Sequence, residues 1–125
     1  MTLSLVFRIQ AVIMTFFGLA MLVAPGALME SFNVVESAGA VSLMRGMSLM
    51  VLAIGYISWQ MPNWAGDNLK TVGMFFGVWH VVYAALSGYQ ISAGAFPADT
   101  MSIVGNVGPD VVLAILFFWK SRADT

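Results

Sequence analysis

The chain has 125 residues, of which 60% are hydrophobic and 9% charged, and its net charge is −1. Soluble domains carry roughly a quarter charged residues, so this composition predicts an integral membrane protein. The charge balance leaves no basic field for nucleic acid. Cysteine is absent, which excludes disulfides, thiolate metal sites and thiol catalysis.

Four apolar segments are each long enough to cross about 30 Å of hydrocarbon as a helix. They span residues 3–23, 38–60, 69–92 and 100–120. The first three end before Pro25, Pro62 and Gly94, which stop helices, and Pro109 predicts a kink in the fourth. The sequence therefore predicts an all-α fold: a single domain over residues 1–125 that forms an antiparallel four-helix transmembrane bundle.

The first segment resembles a signal peptide because Arg8 precedes an apolar run that ends in small residues. It is long enough to span, however, and we interpret it as a retained helix. Arg8 lies about five residues from its end, where a long side chain can reach water, so we interpret it as an anchor. In the loop that follows, we expect residues 26–32 to form a short interfacial helix.

Basic residues predict the orientation of the bundle. The side with the termini and the second loop carries Lys70, Lys120 and Arg122, whereas the loops after the first and third segments contain no Lys or Arg. Cytoplasmic loops are enriched in these residues, so both termini are predicted to be cytoplasmic. Tryptophans cluster near the same boundary, as an interfacial belt does: Trp59, Trp64 and Trp119.

Arg45 lies about seven residues inside the second segment, where an arginine costs a few kcal/mol unless a partner receives it. At 1.5 Å per residue, Arg45, Tyr83 and Asp110 are about 10 to 13 Å from the outer side, with His80 a turn deeper. Because neither charge is stable alone in hydrocarbon, we expect an Arg45–Asp110 ion pair. The predicted binding site, in the outer half of the bundle, comprises Arg45, Ser48, His80, Tyr83, Asn106 and Asp110.

His80 is the only histidine, so a multi-histidine metal site is excluded and no metal is predicted. Beside Tyr83 it can relay a proton or bond a carbonyl or quinone oxygen. No cofactor is predicted, and quinone is the one alternative that these residues allow. The alternative is a neutral imidazole bonded to a serine, Gln10 or a backbone carbonyl between helices. No nucleophile or phosphate-binding motif is present, so no catalytic residue is predicted and a binding role is favoured over an enzyme.

Several short motifs resemble those of the small bacterial four-helix membrane proteins grouped as DoxX-like. They are Leu43-Met44-Arg45-Gly46, Gly77-Val78-Trp79-His80 and the aspartate that opens the fourth helix. The resemblance implies a four-helix bundle in a bacterial inner membrane. Some relatives look like subunits of quinone-linked oxidoreductases, and distant four-helix cousins bind sterols or assist other membrane proteins. It implies no catalytic residues.

Two functions are compatible with the sequence. In the first, the polar residues line a pocket for a small amphiphile, a lipid head group or a quinone. In the second, they only fix helix packing in an accessory subunit of a larger membrane complex. An oxidoreductase is one such complex. The expected partners are the lipid bilayer and, beyond it, a second copy or another membrane protein. Small-xxx-small pairs such as Gly73 with Gly77 provide surfaces for close helix contact.

Overall fold

The chain folds into helices joined by short turns over residues 1–123, the range that the computed structural model describes. Six α-helices follow one another: α1 (Leu3–Val23), α2 (Pro25–Ser31), α3 (Ala38–Trp64), α4 (Leu69–Ser92), α5 (Thr100–Asn106) and α6 (Gly108–Arg122). A 3₁₀ turn at Gly66–Asn68 leads into α4. No strand occurs in the described range, so the all-α class is confirmed.

Four helical stretches are long and apolar enough to cross a membrane: Leu3–Val23, Ala38–Trp64, Gly66–Ser92 and Thr100–Arg122. Large apolar side chains cover much of their outer surface, among them Phe16, Leu43 and Ile115. A soluble monomer rarely exposes contiguous apolar surface on this scale, whereas a membrane protein presents such side chains to lipid. The molecule is therefore compatible with a multi-pass membrane protein.

Three helices begin at a polar side chain that accepts a backbone N–H of the first turn. Thr2 caps α1, Ser37 caps α3 and Asp99 caps α5. Asp99 Oδ1 accepts the N–H of Ser102 at 2.7 Å, and its Oδ2 accepts the side-chain amide of Asn33 at 2.8 Å. Both bonds favour the carboxylate and lower the pKa of Asp99 below its ordinary value, the Ser102 bond contributing more.

The helices pack in two pairs, α1 with α3 and α4 with α6, and α1 also contacts α4 and α6. Along the α1–α3 pair the contacts run in opposite order: Gln10 meets Ser58, whereas Gly18 meets Leu52. At Gly55 the two backbones approach closely, since a Cβ there would lie 3.2 Å from the Thr15 nitrogen. The pair is held by small residues that allow this approach.

The buried apolar core lies where the first half of α1 meets the middle of α6. Its buried members are Leu3, Val6, Phe7, Leu113 and Phe117. Phe7 and Phe117 pack edge to face with ring centroids 4.9 Å apart. This geometry places the positive edge of one ring against the negative face of the other and fixes α6 on α1.

Helix bounds agree with the sequence for α1 and α4, but α3 continues past residue 60 to Trp64. Pro62 lies inside the last turn of α3. A proline there removes only the N–H that would bond the carbonyl four residues earlier, and the helix ends two residues later, so the loss is tolerated.

The interruption of the fourth segment lies at Val107, two residues before Pro109. Pro109 occupies the first turn of α6, where its missing N–H would have no helical partner in any case. The proline therefore starts a new helix and does not bend a continuous one. The short helix predicted for residues 26–32 occurs one residue earlier, as α2.

Candidate functional site

A chain of hydrogen-bonded polar side chains, here called the polar chain, links the four long helices. Gln10 Nε2 of α1 donates to Ser58 Oγ of α3 over 2.6 Å. Gln10 Oε1 lies 2.8 Å from His80 Nε2 of α4. His80 Nδ1 lies 2.6 Å from Asp110 Oδ1 in the first turn of α6. Each of the four helices thus contributes one residue.

The polar chain is buried. Gln10 and Ser58 are fully buried, His80 is 1% exposed, and the Asp110 side chain is 14% exposed. The imidazole of His80 stacks on the ring of Phe117, with centroids 5.9 Å apart and planes 13° from parallel. Polar groups in such surroundings are stable only when bonded to one another, and Asp110 is the only one of the four that is partly exposed.

The bonds of Gln10 fix the hydrogen positions on His80. An amide oxygen only accepts, so the Nε2 atom that faces Gln10 Oε1 must carry a hydrogen. One proton then lies between His80 Nδ1 and Asp110 Oδ1. Either a carboxylic acid donates to Nδ1, or the N–H of an imidazolium donates to a carboxylate. In both forms the pair has no net charge.

Rotating the Gln10 amide by 180° gives a second closed arrangement. The amide nitrogen then donates to a bare His80 Nε2, His80 Nδ1–H donates to the Asp110 carboxylate, and the Ser58 hydroxyl donates to the amide oxygen. This arrangement has one proton fewer and a net charge of −1, which is costly in hydrocarbon. The observed Gln10 orientation is the one that suits the neutral pair.

Arg45 does not join this site. The only ion pair among residues 1–123 joins His80 and Asp110, and Arg45 is exposed on α3. The expected Arg45–Asp110 contact is absent because α3 packs against α1, whereas Asp110 begins α6, which packs against α4. Two residues at similar depth in the membrane meet only when their helices are neighbours and both residues lie on the faces that contact each other.

Ser48, another predicted site residue, is buried away from Asp110 and is bonded within its own helix. Its hydroxyl donates to the Arg45 carbonyl oxygen at 2.5 Å. This bond satisfies the hydroxyl locally and explains how a serine is accommodated on the packed face of α3.

The other predicted residues lie close to the Asp110 end of the polar chain. Tyr83 is one turn beyond His80 on α4 and is 47% exposed. Asn106 is one turn before Asp110, at the end of α5, and its Nδ2 is buried without a hydrogen-bond partner. The structure therefore brings His80 and Asp110 together, and the Asn106 amide nitrogen, one turn earlier in the chain than Asp110, has no hydrogen-bond partner.

Ser58 was missed as a site residue, and Gln10 was named only as an alternative partner of His80. A signal for Gln10 exists in the sequence, because it is the only amide in the first apolar segment. Amides inside a membrane span bond to other polar residues across helices. Ser58 has no comparable signal, since serines also bond their own helix backbone.

Within residues 1–123, no three His, Cys, Asp or Glu side chains lie close enough together to hold a metal ion. No protein-family model, curated protein or solved structure matches the chain. The resemblance to DoxX-like proteins therefore rests on the short motifs alone.

Proposed function

We propose that the protein is a multi-pass protein of the bacterial inner membrane, an antiparallel four-helix bundle with both termini in the cytoplasm. The four apolar helical stretches and the opposite order of contacts along α1 and α3 support this architecture. The basic residues near one end support the orientation. The bacterial membrane follows from the DoxX-like resemblance.

We further propose that the Asp110 end of the polar chain binds the oxygen-bearing head of a small amphiphile such as a quinone or a lipid. The observation that carries the proposal is the Asn106 amide nitrogen, which is buried without a partner. A buried donor without an acceptor costs about 1 to 3 kcal/mol, which a ligand oxygen would recover. Tyr83 and the partly exposed Asp110 provide further hydrogen bonds at the same end.

The polar chain also suggests how a bound quinone oxygen would be treated chemically. Asn106 would donate to the carbonyl oxygen and fix its position. Asp110, which shares one proton with His80, would accept a hydrogen bond from a hydroxyl of the ligand, such as that of a quinol. Arg45 has no role at this site because it lies on the exposed surface of α3.

The test compares Asn106→Ala with Asn63→Ala, which removes an exposed asparagine at the other end of the bundle. A short-chain benzoquinone and a lysophospholipid serve as probes, and the signals are quenching of tryptophan fluorescence and the shift in melting temperature. Wild type and Asn63→Ala should bind one of the probes saturably. Loss of one hydrogen bond in Asn106→Ala should weaken binding about tenfold. Equal binding by both variants, or no saturable binding by wild type, would refute the proposal.

A second function is that of an accessory subunit whose polar chain only fixes helix packing. It is favoured because the members of the polar chain bond to one another. Its three bonds join all four long helices, and at Gln10 and His80 each bonding side-chain atom faces another member. Mass measurement of the detergent-extracted protein distinguishes the two functions. A constant ratio to another chain supports the accessory subunit, and a monomer that carries a small amphiphile supports the binding protein.

A further inference from the structure

An open groove of about 600 Å³ runs between α1 and α3, far from the Asp110 end of the polar chain. It is called the α1–α3 groove here. Its walls are long side chains of both helices: Val12, Phe16 and Leu19 from α1, and Leu52, Tyr56 and Trp59 from α3. Its floor consists of Ala11, Thr15 and Gly55. The groove exists because the two backbones touch at these small residues while the larger side chains stand apart on either side.

A second, smaller hollow of about 270 Å³ lies next to the groove along α1. Leu5, Arg8, Ile9, Val12 and Ile13 line it. Val12 lines both cavities, so its side chain forms the ridge between them. Two adjacent apolar cavities separated by one ridge match the two hydrocarbon chains of a phospholipid.

A cation lies where the two cavities meet. Arg8 lines the smaller hollow, and its guanidinium carbon is 5.5 Å from the ring centroid of Trp59, which closes one end of the α1–α3 groove. Among the described residues, Arg8 forms no ion pair. A guanidinium binds phosphate with two parallel hydrogen bonds, and stacking on an aromatic ring leaves its edge available for them.

Length and charge both suit an anionic lipid. Leu19 lies eleven residues after Arg8, about 16 Å along the helix, which is the length that one acyl chain covers in half of a 30 Å hydrocarbon layer. Lys70, Lys120 and Arg122 belong to the same end of the bundle, where Asp67 is the one acidic residue among the described residues, so the net positive charge there attracts an anionic head group.

We propose that Arg8 and the two cavities form a binding site for one anionic diacyl phospholipid of the leaflet on that side. The phosphate bonds to Arg8, one acyl chain occupies the α1–α3 groove, and the other occupies the smaller hollow. This site is separate from the proposed amphiphile site, which lies at the outer end of α4 and α6.

The experiment is native mass spectrometry of the full chain with phosphatidylglycerol and phosphatidylcholine that have identical acyl chains. Wild type should retain one phosphatidylglycerol with about fivefold preference over phosphatidylcholine, because both lipids offer a phosphate to Arg8 but only phosphatidylcholine also carries an ammonium group, which the guanidinium repels. Arg8→Gln should lose that preference. The matched control Arg45→Gln, which removes an exposed arginine at the other end of the bundle, should keep it.

A second variant tests the cavities separately from the charge. Val12 is 61% exposed, so Val12→Trp can fill both cavities without disturbing the packed face of α1. Its retained fold is checked by the melting temperature, and it should retain no phosphatidylglycerol although Arg8 is unchanged. The proposal is overturned if wild type binds both lipids equally, if Arg8→Gln keeps the preference, or if folded Val12→Trp still retains the lipid.

Discussion

Replacement of Gln10 by leucine should destabilise the protein strongly because this one side chain joins three helices. The change removes the 2.6 Å bond to Ser58 and the 2.8 Å contact with His80, and it leaves both partners buried. Interhelical hydrogen bonds in membranes average about 0.6 kcal/mol each, so the loss of two bonds gives about 1.2 kcal/mol as the lower estimate of the destabilisation. Buried groups left without a partner cost about 1 to 3 kcal/mol each. Two such groups give about 2 to 6 kcal/mol. Because the Ser58 hydroxyl can bond its own helix backbone instead, we expect a loss in the lower part of this range, about 2 to 4 kcal/mol.

The assay is unfolding in mixed micelles of increasing SDS fraction, followed by circular dichroism. Gln60→Leu is the matched control, because Gln60 is only partly buried and its two contacts, with Tyr56 at 3.4 Å and with Asn63 at 3.3 Å, are long and lie within α3. That variant should unfold with wild type. The double variant Gln10→Leu with Ser58→Ala should be less destabilised than the sum of the single variants, since both remove the same bond. Equal effects of Gln10→Leu and Gln60→Leu would show that the polar chain does not stabilise the fold.

Three further results are expected. Gly55→Ala should destabilise the protein by about 1 to 3 kcal/mol in the same assay, since the new Cβ would lie 2.8 Å from Thr15 Oγ1. Gly46→Ala should instead stabilise the protein by about 0.5 to 1 kcal/mol, since no atom lies within 4 Å of the Cβ position there. Asp99→Ala should lower the melting temperature at pH 7. The pKa of Asp99 is lowered in the folded protein, so the ionised carboxylate stabilises the fold and the protonated acid does not. The difference in melting temperature from wild type should therefore shrink as the pH falls through this pKa, and a pH-independent difference would contradict this assignment. Nitrogen-15 NMR should show a hydrogen on His80 Nε2, and a bare Nε2 would indicate the rotated amide arrangement.

The helices could be predicted from the sequence because hydrophobic runs of spanning length carry their own signal. The bounds of α1 and α4 agree with the prediction to the residue. Instead of the kink predicted at Pro109, the structure has a break between two helices at Val107. The extension of α3 was not predicted, because a proline near a helix end costs one bond and a sequence pattern treats it as a stop.

The site was predicted less well than the helices. His80 and Asp110 do lie together, but Arg45 was paired with Asp110 on depth alone. Depth follows from residue number, whereas the neighbours of a helix depend on how all the helices pack. No periodicity in a single segment reveals that α3 lies against α1 while α6 lies against α4. Gln10 could have been given more weight, since an amide within a span nearly always needs a partner on another helix.

The order of the polar chain along the sequence has a consequence for biogenesis. Gln10 meets Ser58 across 48 residues, His80 across 70, and His80 meets Asp110 across 30. During synthesis the first bond can form once α3 has entered the membrane, the second only after α4, and the third only after α6. Each arriving helix thus provides the partner of a polar group that is already in the bilayer. In a chain truncated before α6, one imidazole nitrogen of His80 would lack its carboxyl partner. This unpaired nitrogen distinguishes an unfinished molecule from a complete one.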